Sequence, residues 1–493
     1  MNTVVGIDLG TQALKVLFFD VRRRAVVATE SAPLDLYQDD RGVAEQQHHW
    51  WLAAMKDAFA RVDPDVRKTA GAVAVSGQQH GFVAVDSADE VLAPVKLWCD
   101  TSTERECVQI TQAVGGVDDC IREAGNPILP GYTASKIRWL KKARPRVYEK
   151  LDGILLPHDF INLYLCGERC METGDASGTG FLDIRRRRWS RAVLNAIDPD
   201  RDLAECLPPL RTVNEAIGVV RAGAADEFGL PAGIPVAIGG GDNMMGAVGT
   251  GNVRPGRLTM SLGTSGTVYA YTDEPVVDPN GNIAAFCAST GGWLPLLCTM
   301  NCTVTTELMR GLLGADLSRF ESSIGEAPRG SDGVLTLPFF NGERTPNLPN
   351  ARGCVLGLTG RNMKPANLLR SAVEGATFAL KFGIGELAGL GVNAGEIVLT
   401  GGGVRSGKWR QLVADICAAP VTVYEQNEGA AFGAALQAMQ LLEPGARLAE
   451  LVDAVLSRDE RRCCEPRRAA VSHYEENYRQ YRQAVTAVTA LYQ

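Results

Sequence analysis

The first strong pattern of apolar and polar positions is a strand pair at the N-terminus. Val4–Asp8 and Leu14–Phe19 are apolar, largely β-branched or aromatic runs joined by the glycine-containing turn Leu9–Gln12, and Val26–Glu30 continues as a third strand. Over Glu45–Arg61 the period changes: Trp51, Met55, Ala58 and Phe59 fall on one side at helical spacing, which predicts an amphipathic helix. Ala72–Ser76 predicts a short buried strand, followed by the polar turn Ser76–Gly81 and a strand over Phe82–Val85; Ala134–Ala143 is helical. After Pro231–Pro235, a strand over Val236–Ile238 runs into the glycine-rich segment Gly239–Asn243.

The strand–turn–strand of the N-terminus then returns. Arg257–Leu262, the turn Gly263–Gly266 and Thr267–Thr272 set MSLGTSGTVYAYTD against the earlier IDLGTQALKVLFFD, each with Leu-Gly-Thr at the tip of a hairpin. An internal repeat separated by about half the chain predicts two related domains. The last third adds a long helix, Pro365–Leu390, then strand Ile397–Thr400, a triple glycine, helix Gly407–Ala418 and strand Val421–Tyr424, a βαβ pattern. Glu428–Leu441 is a helix of small residues suited to close packing, and Ser472–Leu491 is a polar helix expected on the surface.

Length agrees with the repeat. The chain has 493 residues, and single cores rarely grow beyond about 250–300. Two large domains are therefore expected, divided at 1–245 and 246–493. The net charge of -7 offers no overall basic field for nucleic acid. The basic runs Arg22–Arg24 and Arg185–Arg188 are short and predict solvated loops. Thirteen cysteines lack a zinc-like spacing, which favours reduced thiols. The N-terminus has no signal-like segment and no apolar run is long enough to span a membrane, so a cytoplasmic protein is expected.

The chemistry-bearing residues cluster at turns. A glycine–hydroxyl turn presents backbone N–H groups and a side-chain donor at one point, an arrangement suited to phosphate; two such turns point to a polyphosphate. Asp8 ends the first strand just before its turn. A carboxylate beside bound phosphates calls for a cation between them, which predicts magnesium there. In GGGDN the three glycines permit close backbone approach, and Asp242 is displayed at the carboxyl end of a strand, able to accept a proton from a hydroxyl. A helix-capping role for Asp242 is the alternative. Gln78, Gln79 and His80 combine amide and imidazole groups that can read sugar hydroxyls, and Trp98 with Asp100 offers an apolar face and a carboxylate. TGGGVRSGKW reads G-x-x-x-x-G-K from Gly402 to Lys408, but Trp409 stands where a magnesium-binding Ser/Thr belongs, so a Walker A loop is excluded. A glycine turn opening a helix remains, suited to the nucleotide end of a ligand.

Together these segments resemble the FGGY carbohydrate kinase family. The matching motifs are GIDLGTQALKV (Gly6–Val16), SGQQHG (Ser76–Gly81), Leu97–Asp100, GGGDN (Gly239–Asn243), SLGTSG (Ser261–Gly266), NGERTP (Asn341–Pro346) and TGGGVRS (Thr400–Ser406), in the family's order. GNPILPGYTASKIRWL (Gly125–Leu140) and LLPHDFINLYLCGE (Leu155–Glu168) look like the branch that phosphorylates D-xylulose. The resemblance implies an α/β fold of two ribonuclease-H-like domains of the actin/hexokinase/Hsp70 type with an interdomain cleft. It implies ATP and Mg²⁺ as cofactors, and D-xylulose as the small-molecule partner, phosphorylated to D-xylulose 5-phosphate; ribulose, gluconate or glycerol are the alternatives, and a non-catalytic actin-like ATP-binding protein is a more distant one. It also allows a homodimer, with neither nucleic acid nor membrane as partner. By the same resemblance Asp242 is the general base, and Asp8 supports magnesium and activity. Gln79, His80, Trp98, Asp100 and Asn243 would hold the sugar. Thr11, Gln12, Gly263, Thr264 and Ser265 would contact phosphates, and Gly402, Gly403 and Ser406 would line the nucleotide. Two positions depart from the family: Cys99 stands where asparagine is expected, and Gln12 replaces the more usual serine.

Overall fold

Near-continuous burial along the central predicted strands is what sets the architecture. The computed structural model describes residues 2–211, 215–426, 428–443 and 445–492, which divide into two compact units. The first comprises Met1–Val253, Thr272–Leu294 and Glu428–Val455; the second comprises Arg254–Tyr271, Pro295–Asn427 and Leu456–Gln493. Two later segments thus fold back into the first unit, a feature that a single linear division at 245/246 leaves out.

In the first unit, β1 (Thr3–Leu9), β2 (Ala13–Asp20) and β3 (Ala25–Pro33) form an antiparallel meander. On the other side of β1, β4 (Ala70–Gly77) pairs in parallel, followed by β5 (Ala216–Val219) and β6 (Pro235–Ala237) in the order β5-β6-β4-β1-β2-β3. Strand β4 is buried at every residue, as a parallel strand covered on both faces must be. α1 (His48–Arg61) covers one face through Trp51, Met55, Ala58 and Phe59, the residues its period predicts. It starts three residues later than expected, because Ala44–Gln46 is a strand that pairs with Val95–Lys96.

The second unit repeats the plan. β7 (Arg257–Leu262) pairs antiparallel with β8 (Gly266–Ala270), which pairs antiparallel with β9 (Leu296–Thr299). β10 (Glu396–Thr400) runs parallel to β7, and β11 (Val421–Thr422) parallel to β10. The order β11-β10-β7-β8-β9 matches β6-β4-β1-β2-β3 strand for strand and direction for direction. The sequence repeat therefore covers a whole sheet core, not the hairpin alone.

Further helices complete the units. α2 (Thr133–Ala143), α3 (Pro157–Cys166), α4 (Asp242–Gly249) and α7 (Gly429–Leu442) belong to the first, and α5 (Pro365–Gly389), α6 (Gly407–Cys417) and α8 (Arg468–Thr489) to the second. The small residues of α7 let it lie close on α4 and on β1: a Cβ at Gly433 would come 1.8 Å from the Met245 carbonyl, and one at Gly6 would come 1.8 Å from the Ala431 carbonyl. α8 is less superficial than its polar sequence predicts. It sends Tyr474 into the core of the second unit, where the phenol donates to Glu374 (2.7 Å) and accepts from Arg370 (2.7 Å).

Candidate active site

The carboxyl ends of β1 and β4 lie side by side, with Asp8 opposite Ser76. Ser76 Oγ donates to Asp8 Oδ1 at 2.9 Å. After β6 the chain bulges at Gly239 and resumes parallel pairing, Gly240 beside Ser76 and Gly241 beside Gly77. Gly239 has φ +73°, and a Cβ there would come 2.0 Å from the Val75 carbonyl, so only glycine fits. A Cβ at Gly241 would meet the Gln79 side chain at 2.7 Å. These two constraints bring the next residue, Asp242, to the same end of the sheet as Asp8.

Asp242 is the first residue of α4, with Gly241 as N-cap. It makes no capping bond of the usual kind; Oδ1 accepts from the Asn243 backbone N–H (2.8 Å) and from Asn243 Nδ2 (3.0 Å). Although both acids are partly accessible, protein surrounds each on its remaining sides. Desolvation, reinforced by the neighbouring Asp8 and Asp175 carboxylates, pushes Asp242 up to about 7. Asp8 is raised too, by desolvation, against the pull of the Ser76 hydrogen bond and Lys15.

Beside these acids lies a polar network. Asn243 Nδ2 also donates to Gln79 Oε1 (2.9 Å), and Gln79 Nε2 lies 3.3 Å from Met244 Sδ. His80, at φ +66°, sets its ring 4.9 Å from Tyr132 and 5.9 Å from Phe286, centroid to centroid. Trp98 Nε1 donates to Thr11 Oγ1 (2.9 Å), which in turn donates to Gln78 Oε1 (3.1 Å); Gln78 Nε2 donates to Gln46 Oε1 (2.8 Å). Under Gly77, the start of α3 supplies His158, whose Nδ1 lies 2.6 Å from Asp175 Oδ2.

In the second unit the equivalent strand ends carry hydroxyls: Ser261 lies opposite Thr400. The turn Gly263–Ser265 follows, its Gly263 and Thr264 carbonyls accepting from the Thr303 (2.9 Å) and Cys302 (3.0 Å) amides. Gly401 and Gly403 pack on Leu262, while a Cβ at Gly402 would meet nothing within 4 Å. The turn and the glycine loop are thus neighbours, with Gly402 facing open space.

Comparison with known proteins identifies the family. The N-terminal domain of the FGGY family of carbohydrate kinases matches residues 3–249, and the C-terminal domain matches residues 258–441. The chain belongs to the FGGY carbohydrate kinase family. It is 39% identical over 498 residues to a xylulose kinase of Haemophilus influenzae, covering 99% of this chain and 100% of that one. It is 35% identical to a xylulose kinase of Streptomyces coelicolor, over 89% of this chain and 88% of that one. Among solved structures, a xyloylose kinase from Brucella ovis matches with a TM-score of 0.91 at 30% identity, covering 99% of this chain and all of that one. The fold is accordingly the two-domain, actin/hexokinase-like α/β architecture, and the protein is a sugar kinase that transfers phosphate from ATP.

Within this FGGY kinase the expected residues fall into different environments. Asp8, Asp242, Asn243, Gln79, His80, Trp98 and Thr11 all belong to the first unit, where Asp242, Asn243 and Gln79 are joined by hydrogen bonds and Trp98 is bonded to Thr11. Asp100, expected at the sugar, is instead fully buried and occupied. Its Oδ2 accepts from the Ala44 amide (2.9 Å) and Lys96 Nζ (2.9 Å), and its Oδ1 from the Ser102 amide (3.0 Å) and hydroxyl (2.6 Å). Four donors within hydrogen-bond range make it an organiser of its loop. Gln12 is exposed in the first turn, and its carbonyl accepts from Leu34. Ser406 caps α6 through the Trp409 amide (3.0 Å) and donates to Glu321.

Several contributors were not singled out in the sequence. Ser76 lies inside a matched motif but lacked a role. Gln46 falls within the expected helix but lies in a strand, and Lys136 and Thr133, on α2, both donate to the His80 carbonyl. In NGERTP, Glu343 accepts from the Met300 (2.7 Å) and Arg344 (2.8 Å) amides and from Asn301 Nδ2 (3.2 Å), which ties that loop to the segment holding the Gly263–Ser265 turn.

The acids also fit a divalent cation. No group of three or more His, Cys, Asp or Glu side chains forms a metal cage among the described residues. Magnesium, however, is commonly held by one or two carboxylates together with water and substrate phosphates. The Asp8 carboxylate opposes the ionisation of Asp242, a repulsion that a cation relieves.

Proposed function

We propose that the chain phosphorylates D-xylulose at its terminal hydroxyl, yielding D-xylulose 5-phosphate, with Asp242 as the general base. The observation that carries this reading is the placement of Asp242 beside Asp8, raised to about 7. A base poised near the working pH combines a usable deprotonated fraction with enough basicity to take a hydroxyl proton. Asp242 holds its proton-accepting carboxylate at the strand end, oriented by Asn243. Gln79, His80 and Asn243 hold the sugar through its hydroxyls, and Trp98, whose Nε1 is taken by Thr11, offers the sugar its apolar ring. Asp8 is the proposed magnesium carboxylate, held by Ser76; the ion, when bound, supplies neutralisation of phosphate charge. In the second unit, Gly263, Thr264 and Ser265 are the proposed phosphate contacts, with Gly402 and Gly403 along the nucleotide. Phosphoryl transfer has a loose transition state, so positioning and charge stabilisation by such groups supply most of the acceleration.

The sugar assignment is supported by the xylulose kinases that this chain resembles at 39% and 35% identity. ATP consumption measured across D-xylulose, D-ribulose, gluconate, glycerol and no sugar tests it. D-Xylulose is expected to give the highest kcat/KM, by at least about tenfold, since a site that hydrogen-bonds a hydroxyl rejects substrates that misplace it. A different winner replaces the substrate and leaves the kinase class in place. No sugar-dependent consumption on any member contradicts the reading.

A further inference from the structure

We propose that Lys136 is a positioning residue for the sugar site, pinning the backbone of His80 from beneath. Lys136 lies on α2, fully buried. Its Nζ donates to the His80 carbonyl at 2.8 Å and to the Gly131 carbonyl at 2.7 Å, and Thr133 Oγ1, three residues earlier on the same helix, adds a bond to the His80 carbonyl at 3.2 Å. His80 therefore directs its carbonyl into the protein, and its backbone sits in the left-handed region at φ +66°. A non-glycine residue persists there only when its surroundings over-determine it; here two side chains of one helix do so.

Burying an amine is unfavourable unless its hydrogen bonds require it. Burial pushes Lys136 down to about 7, with the nearby Asp100 opposing the shift. Two backbone carbonyls meet the amine, each accepting one of its N–H groups. A methionine would fill similar space without that desolvation cost, so it is the hydrogen bonds to 80 and 131 that call for the amine. The turn is braced on its other side as well: a Cβ at Gly77 would meet the His158 backbone at 2.9 Å, and one at Gly81 would meet the Pro157 ring at 2.6 Å. The Ser76–Gly81 turn is held between α2 and the start of α3, which fixes the direction in which the imidazole leaves the backbone.

This inference rests on the proposed role of His80 at the sugar, so His80→Ala is measured in parallel. In Lys136→Met, the KM for D-xylulose is expected to rise on the order of tenfold. The KM for ATP and the rate of ATP hydrolysis measured without sugar should stay within about twofold of wild type. Lys136→Gln, which keeps an N–H₂ donor, should recover part of the loss. An unchanged sugar KM in Lys136→Met, or equal rises in both KM values, overturns the proposal. If Lys136→Met does not fold, Thr133→Val decides: a two- to threefold selective rise in sugar KM supports the proposal, and no change overturns it. A His80→Ala variant with wild-type sugar KM removes the sugar-site reading and the Lys136 proposal with it. A rise in His80→Ala without one in Lys136→Met removes the Lys136 proposal alone.

Discussion

Asp242→Asn is expected to fold, bind ATP and turn over on the order of 10²–10⁴-fold more slowly than wild type, the usual contribution of a positioned general base. Asparagine keeps the size and the acceptor oxygen that receive the Asn243 bonds, so the loss reports the missing base. Stability separates this from a folding defect. A carboxyl raised from 3.8 to about 7 stays protonated longer in the folded than in the unfolded chain. Its ionisation therefore lowers stability as pH rises from about 4 to 7, with the penalty complete above 7. The variant should match or exceed the wild-type Tm at pH 8. The same shift gives the sign of the pH profile. Wild-type kcat/KM for the sugar falls as pH drops through about 7, while the residual activity of Asp242→Asn lacks that limb. A variant with near-wild-type kcat is incompatible with the role.

Gly433→Ala is the second large effect. One methyl group is added on α7, but it would sit 1.8 Å from the Met245 carbonyl and 2.9 Å from the Gly249 amide, both backbone atoms of α4. Backbone cannot swing aside as a side chain can, so the two helices must separate. Overpacking typically costs about 1–3 kcal/mol and more where relief is blocked; about 3 kcal/mol or more is expected here, a drop of roughly 5–10 °C in the thermal transition of the first unit. Because α4 begins with Asp242, the displacement should also lower kcat in the surviving folded fraction. Differential scanning calorimetry with activity on the same sample checks both. An unchanged transition would mean that α4 and α7 are not packed as described.

The two sheet cores explain why so much of the fold is legible in the sequence. β1, β2, β7 and β8 each adjoin a short glycine turn, and β7, which alternates Leu258, Met260 and Leu262 with Arg257, Thr259 and Ser261, begins and ends where the pattern places it. Boundaries fail where the deciding contact is distant. α1 has no side-chain cap at Gln47, so the expected helix overlaps the strand Ala44–Gln46, which is set between nearby Tyr37–Gln38 and Val95–Lys96 about fifty residues on. α8 looks superficial until Glu374 and Arg370 supply partners for Tyr474. The site shows the same division. Asp8, Gln79, Asp242 and Asn243 sit in short motifs at strand ends and are visible locally. The occupied state of Asp100 depends on Lys96, Ala44 and Ser102 folding around it, and Lys136 gains its meaning only when α2 is laid under the Ser76–Gly81 turn. The repeat carries a chemical lesson as well. At matching strand ends the first unit has Asp8 beside Ser76 and the second has Ser261 beside Thr400. The two units share the backbone plan, while the strand end carries a carboxylate in one and a hydroxyl in the other.

The most direct measurement is the position of D-xylulose itself, in a crystal structure of the protein with the bound ketose. The terminal hydroxyl oxygen is predicted to lie within hydrogen-bond reach of an Asp242 carboxylate oxygen, about 2.6–3.2 Å, with Gln79 and His80 at the other hydroxyls. A sugar bound with its terminal hydroxyl against another side chain, and Asp242 out of reach, would contradict the account.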